Sequence, residues 1–502
     1  MERGRIKPDF FLNVLSENKK EEIHKATLEI LEKTGVKIQD EETLARLQGE
    51  GCKVDFDAQT ARMNEAFVMD GLKKHPHEFV LRAVDQDQNC LLKSGESFLV
   101  TTSPGLNSIN LNTWEPKIPN RKEFYDYMCL VDRLEEIDLA GSFPWGGFEK
   151  VPQCMAFIES LAAKIRCSGK ALWEGTSLDN YRFIVKMAKR LNVDVWLNTN
   201  PTSPLTFMKD TVDEIKFLCR EGMPFTITSG PILGVSGPVT MAGALALNNA
   251  DILAGNAIAQ MYCPGTRCMA GGMLLALNMK TGSPVFANAA SYLTEAAFAQ
   301  MWRCYGVPCV TNSPGWTNAK QIDYQAAYET STGFLMLALA GANVVPYAGG
   351  LTAELTAHPV KAILDRDVVK MVRRIRQGIA VDEESLALSV IKDVGFAPGS
   401  YLDQEHTIEW MRSERCDLEM ADLDTISEWI RNGKETLLEK GIKKWRALRE
   451  MNSQYHINDQ QEKIVEETLE EARQYYYEKG LINQKEWENY RTSIETDKYP
   501  FE

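Results

Sequence analysis

ALWEGTSLDNYRFIVKMAKRLNVDVWLNTNPTSPLTFMKDTVDEIKFLCREGMPFTITSG, residues 171–230, repeats one pattern nearly twice over. Short β-prone runs at 170–174, 194–199 and 223–228 alternate with amphipathic helical patterns, SLDNYRFIVKMAKRL (177–191) and MKDTVDEIKFLCREG (208–222). Alternation on this scale builds parallel βαβ units, because parallel neighbours need a helical crossover. Working outward, further β-prone runs fall near 106–110, 137–142, 265–270, 308–312 and 343–347. Eight such runs are the number that closes a barrel. The expected class is α/β, a (β/α)8 TIM barrel with an N-terminal mixed extension and a C-terminal helical one. A doubly wound open sheet is the alternative.

The flanks lose this rhythm. In KKEEIHKATLEILEKTG (19–35), Ile23, Ala26, Ile30 and Leu31 share a helix face, and Gly35 follows as a C-cap. Phe79, Leu81, Leu91 and Leu92 mark short strands. SGPVTMAGALALNNADILAGNAIAQMY (236–262) predicts a helix opening around Ser236, Gly237 and Pro238. Its Ala- and Gly-rich body suits close packing on several sides. Beyond about residue 380 come charged helical stretches, 425–451 and 458–480. The expected organisation is a helical/mixed cap at 1–95, a catalytic barrel at 96–380 and a helical extension at 381–502, wrapped on the barrel or on another subunit.

Composition narrows the function classes. A formal charge of −14 argues against a nucleic-acid surface, which needs clustered Lys and Arg. No run reaches the ~20 apolar residues of a membrane span, and the N-terminus lacks the apolar core of a secretory signal. Eleven scattered cysteines do not make a secreted disulfide framework. A cytoplasmic protein that binds neither nucleic acid nor membrane is expected.

Familiar catalytic signatures are missing: no Walker A loop, no GxGxxG between strand and helix, no HExxH and no CxxC. His75-Pro-His77 has ligand-like spacing but no partner cluster, so no metal is expected. Cys263 with Cys268, and Cys304 with Cys309, read as thiols in apolar surroundings. GVSGP (234–238) is no nucleophile elbow, because Pro238 stands where a helix begins and no histidine pairs with the serine.

What the predicted strand ends carry instead is aromatic and neutral. They offer Phe143 and Trp145; Trp173, Glu174 and Thr176; Asn198, Asn200 and Ser203; and Ser229. Later ones offer Trp316, Lys320, Asp323, Gln325 and Glu329, then Tyr347, Glu354 and His358. Arginine is absent from these loops. Rings around a pocket hold a quaternary ammonium by cation–π attraction and by packing on its methyl groups. The expected substrate site is Trp145, Trp173, Trp316 and Tyr347 as one enclosure, with Phe143, Glu174 and Gln325 beside it. His358, preceding Pro359 at a helix start, is the candidate for a substrate carboxylate, helped by backbone N–H groups. No catalytic acid, base or nucleophile is singled out.

Several long blocks are similar to a known family. They are SGPVTMAGALALNNADILAG (236–255), DYQAAYE (323–329) with ALAGANVVPYAGGL (338–351), DRDVVKMVRRIRQGI (365–379), and SLALSVIKDVGFAPGSYLDQEHTIEWMRSE (385–414). They resemble the trimethylamine methyltransferase (MttB) superfamily and cover the second half of the chain. Founding members carry pyrrolysine, whereas this sequence has standard residues only, so it resembles the branch without it. The resemblance implies demethylation of a quaternary amine such as glycine betaine, proline betaine, carnitine or γ-butyrobetaine. It implies transfer of the methyl group to Co(I) of a separate corrinoid-binding protein, with cobalamin carried by that partner and no cofactor held tightly here. A homo-oligomer is expected. Rival readings are a barrel lyase or aldolase using Lys320 as a Schiff base, and a non-catalytic betaine-binding protein.

Overall fold

The computed structural model describes residues 8–102, 105–312, 315–451, 456–499 and 501. Eight parallel strands close into a barrel. In chain order they are β1 (Leu99–Thr102), β2 (Leu139–Ala140), β3 (Ala171–Glu174), β4 (Val195–Thr199), β5 (Phe225–Ser229), β6 (Cys268–Gly272), β7 (Cys309–Thr311) and β8 (Val344–Ala348). Each is followed by one outer helix: α1 (Arg121–Arg133), α2 (Gln153–Cys167), α3 (Tyr181–Leu191), α4 (Lys209–Glu221), α5 (Met241–Tyr262), α6 (Ala289–Tyr305), α7 (Tyr324–Ala340) and α8 (Pro359–Arg376). The open-sheet alternative is thereby excluded, since β8 pairs with β1 and β1 with β2.

The first strand corrects the sequence reading. Residues 106–110 do not enter the barrel; Ser108–Ile109 pairs with Pro116–Lys117 as a two-residue hairpin. The barrel strand lies just upstream, at Leu99–Thr102, where every residue is buried. A strand covered on both faces reads as a continuous apolar run rather than an alternating one. The N-terminal helix, Glu17–Glu29, is also turned by one residue relative to the expected face. Thr27 is buried and Ala26 exposed, and the Thr27 hydroxyl bonds to the carbonyls of Ile23 and Ala246. The helix ends through a π-turn to Gly35 at φ +76°. Helix α5 starts at Met241, three residues after Pro238. Ser236 instead closes a loop, its hydroxyl accepting from the Ile232 N–H. From Ala244 to Gln260 the helix is buried on all sides.

Side-chain direction alternates along the strands, and both faces are buried. One set of side chains packs outward against the helices; the other set fills the barrel. The inner set includes Leu99, Leu139, Ala171, Trp173, Trp196, Met269, Val310 and Val344. An antiparallel hairpin, Glu78–Leu81 with Cys90–Lys93, plugs the barrel's N-terminal end with Phe79, Leu81, Cys90 and Leu92. Asp194, just before β4, ties this plug down through ion pairs with Arg82 and Arg267. One end of the barrel is therefore sealed with apolar side chains, and chemistry is left to the other. No helix among the described residues is long and apolar enough to cross a membrane.

Candidate active site

Toward the strand C-termini the barrel interior changes character. The inward positions here are Thr101, Gly141, Trp173, Asn198, Thr228, Gly271 and Asn312, where packed barrels place branched apolar residues. Two of these glycines are required by close approach. A Cβ on Gly141 would lie 2.8 Å from the Thr101 hydroxyl and 2.9 Å from the Trp173 ring. A Cβ on Gly271 would lie 2.2 Å from the Thr228 hydroxyl. Five polar atoms in or beside this layer are buried and, among the described residues, unpartnered: Thr101 Oγ1, Thr228 Oγ1, Asn198 Oδ1 and the indole Nε1 atoms of Trp173 and Trp145. An orphaned buried polar atom costs about 1–3 kcal/mol. Five together mark a place built to meet a ligand or ordered water.

The aromatic wall forms around the same layer. Trp173 and Trp196 stack at 5.3 Å between ring centroids. Trp145 meets Trp173 edge-on at 6.1 Å and Phe157 at 5.9 Å. Trp145 sits half-buried at the mouth, its backbone N–H donating to Gly105 O, while Trp173 and Trp196 are buried. The Trp196 indole donates to Thr226 Oγ1, which fixes its tilt. Trp196 and Phe157 were not foreseen. Trp196 lay mid-strand rather than at a strand end, and its inward direction was readable only from the two-residue period.

The expected four-ring enclosure is corrected. Trp316 packs on Phe286 at 5.3 Å, with Leu275 completing a separate cluster beyond β6 and β7. In the ring of strands these lie across the barrel from β2 and β3. Tyr347 points outward, its ring 4.0 Å from Phe334 of α7. Phe143 also points outward, to Tyr127 of α1. Tyr347 falls one residue out of phase with the inward set, whereas Phe143 lies past the end of β2, where the two-residue period no longer sets its direction. Glu174 is likewise in the helix layer, fully buried in an ion pair with Lys164 of α2 at 2.6 Å. It accepts from Ser142 Oγ and the Gly175 N–H, and Lys164 also donates to the Trp173 carbonyl. Burial pulls the Lys164 ammonium below the usual lysine range, and Glu174 offsets part of that.

His358 is a helix cap. Its Nδ1 accepts from the Val360 N–H, and burial pushes its pKa down to about 3. A neutral imidazole so engaged supplies no positive charge to a carboxylate. It borders a different cavity, of about 270 Å³, with Lys117, Tyr127 and Trp445. Gln325 is half-buried and donates to Glu329. Glu329 also accepts from Thr317 Oγ1 and the Asn318 N–H, holding the loop after β7. Lys320 is exposed and donates to Asn318 O. A Schiff-base lysine works from a desolvated pocket, and Lys320 stands at the surface instead. Asp323 caps α7 through the Ala326 N–H. Ser203 and Ser229 both donate to Asp251 of α5, whose carboxyl burial raises to about 6. His75 and His77 bond to the backbone carbonyls of Cys268 and Gly306. Among the described residues, no three His, Cys, Asp or Glu side chains are grouped to hold a metal.

Glu214 of α4 lies behind β3 and β4. Burial pushes its pKa up to about 8, and the Thr176 and Thr199 hydroxyls offset part of the shift. The folded state then binds a proton that the unfolded state has lost between pH 4.5 and 8. Stability therefore falls as pH rises through that window. Glu214→Gln, which keeps the neutral form, should flatten the fall of Tm between pH 6 and pH 9. A variant whose melting curve follows the parent's pH dependence would refute the buried neutral carboxyl.

Comparison with known proteins places the chain in a family. The family model described as trimethylamine methyltransferase (MTTB) matches residues 4–474. The chain belongs to this family. It is a methyltransferase, as are its curated relatives. The trimethylamine methyltransferase MttB of Desulfitobacterium hafniense is 26% identical, covering 82% of this chain and 84% of its own. The glycine betaine methyltransferase of the same species is also 26% identical, covering 86% of this chain and 91% of its own. Among solved structures, the hydroxylamine MtmB complex matches with a TM-score of 0.53 at 11% identity, over 87% of this chain and 88% of that one. That likeness concerns the fold.

Proposed function

We propose that this MTTB-family methyltransferase demethylates a betaine-type quaternary amine and delivers the methyl group to a separate corrinoid protein. The observation that carries the reading is the junction of Trp145, Trp173 and Trp196 with unpartnered neutral donors in one layer. Rings suit the trimethylammonium group. The indole N–H groups of Trp145 and Trp173 and the hydroxyls of Thr101 and Thr228 suit a carboxylate without any arginine. They replace His358 in that role. Trp316 and Phe286 form the far wall of the mouth.

The partner's Co(I) supplies a nucleophile, so the chain itself needs none. The N–CH3 bond breaks with its electron pair left on nitrogen, and a neutral tertiary amine departs. No proton moves, which accords with a layer of rings, hydroxyls and amides. The residues present position the N–CH3 bond toward the mouth and keep water from it, which is catalysis by orientation. Around the mouth, Leu106, Leu178, Val235, Val239, Met279 and Leu355 are exposed in the loops after β1, β3, β5, β6 and β8. An apolar rim of this kind fits a protein that must dock over the opening.

Incubated with a Co(I) corrinoid protein, the enzyme should convert a betaine to its tertiary amine with matching methylation of the corrinoid. Trimethylamine should be inert, because its neutral nitrogen would have to leave as an amide anion unless protonated first. Comparable turnover of trimethylamine would sink the assignment.

A further inference from the structure

The cavity of about 270 Å³ beside His358 is walled by the start of α8, helix α1, the hairpin at 108–117 and the C-terminal helix Leu437–Arg449. Tyr127, one of its walls, packs on Phe143 behind β2, so the cavity lies outside the ring of strands. The methyl transfer makes no use of it.

Its charge is opposite to that of the chain. The formal charge overall is −14, yet the lining holds Lys117, Arg446 and Arg449 against one carboxylate, Glu123. Lys117 pairs with Glu123, and Arg449 with Asp126 outside the lining. The Arg446 side chain has no ion pair or hydrogen bond among the described residues, so its guanidinium donors are uncommitted.

His358 adds a fixed neutral donor. The residue is 6% exposed, and its Nδ1 lone pair takes the Val360 N–H. The ring proton of the neutral imidazole therefore sits on Nε2. Nε2 has no partner among the described residues, and the imidazole lines the cavity. Apolar surface completes the wall: Leu111, Ile442 and the indole of Trp445, whose centroid lies 5.8 Å from that of Tyr127.

A guanidinium grips a carboxylate through two parallel hydrogen bonds, which makes it the side chain best matched to that group. The volume falls just below the ~300–1,000 Å³ of drug-sized sites, so the ligand is small. The apolar wall asks for more body than a bare anion has. We infer that this cavity is a second binding site, outside the barrel, for a small organic carboxylate with an apolar body. The carboxylate meets Arg446 and the His358 Nε2–H, and the body lies on Trp445 and Ile442.

Benzoate has both features and serves as the probe. Isothermal titration of the parent should show stoichiometric benzoate binding, with benzamide and inorganic phosphate each about tenfold weaker or more. His358→Asn keeps the helix cap, because an asparagine side chain also accepts from the second helical N–H, but it removes the Nε2 donor. That variant and Arg446→Gln, at an exposed position, should each weaken benzoate about tenfold. Trp145→Leu should leave benzoate affinity unchanged, which separates this cavity from the barrel site and from the methyl-transfer reading. The inference is overturned by no benzoate binding at about 10 mM, by phosphate or benzamide binding as tightly as benzoate, by full affinity in both His358→Asn and Arg446→Gln, or by lost affinity in Trp145→Leu.

Discussion

Trp145→Leu should weaken betaine binding about 30-fold while the fold survives. A desolvated cation–π contact contributes about 2 kcal/mol, and each 1.4 kcal/mol is a factor of about ten in affinity. Trp145 is half-buried at the mouth, so leucine there leaves no sealed cavity. The loss comes from two sources, the ring that faces the ammonium and the unpartnered indole N–H. Isothermal titration of parent and variant with the same betaine measures it directly. Tyr347→Leu is the contrast. Its ring faces Phe334 in the helix layer, so the change should cost stability rather than direct contact with substrate. Equal affinities for the parent and Trp145→Leu would remove this ring from the site.

Lys164→Met should produce the largest loss of stability. The ammonium and the Glu174 carboxylate are both fully buried, 2.6 Å apart. Removing one partner leaves a buried charge uncompensated, at about 3–5 kcal/mol. The variant also frees the Trp173 carbonyl, so the ring above it loses its anchor. Thermal unfolding should show Tm falling by several degrees, with weaker betaine binding alongside. Adding Glu174→Gln should restore much of the stability, because no charge is then stranded. If the double variant melts no higher than Lys164→Met, the ion pair is not what holds this corner.

The barrel was legible because its signal is repetitive. Seven of the eight strands fall within a few residues of the β-prone runs, since strand–helix alternation survives errors at any one boundary. The first strand was misplaced because a fully buried four-residue run has no period to distinguish it, while the short, equally buried hairpin strand at 108–109 imitates one. The site was legible by level and not by phase. The readout of strand ends set Trp145, Trp173, Asn198 and Trp316 at the C-terminal end of the barrel, which is where these residues lie. It could not separate inward from outward neighbours, and a slip of one residue moves a side chain to the other face. The sequence reading sets Tyr347 and Glu174 in the pocket for that reason, while Phe143 lies in the loop past β2 and turns to Tyr127. Trp196, which stacks under Trp173, was passed over. His358 illustrates the remaining gap: its place before Pro359 announced a helix start, and the helix start proved to be its role.

The most direct test of the account follows one methyl group. Betaine labelled with 13C in its N-methyl groups, incubated with the enzyme and a reduced corrinoid protein, should place the label on the corrinoid, one methyl for each tertiary amine released. The yield should fall with Trp145→Leu at limiting betaine. Label that stays entirely in the betaine, or amine released without methylation of the corrinoid, would contradict it.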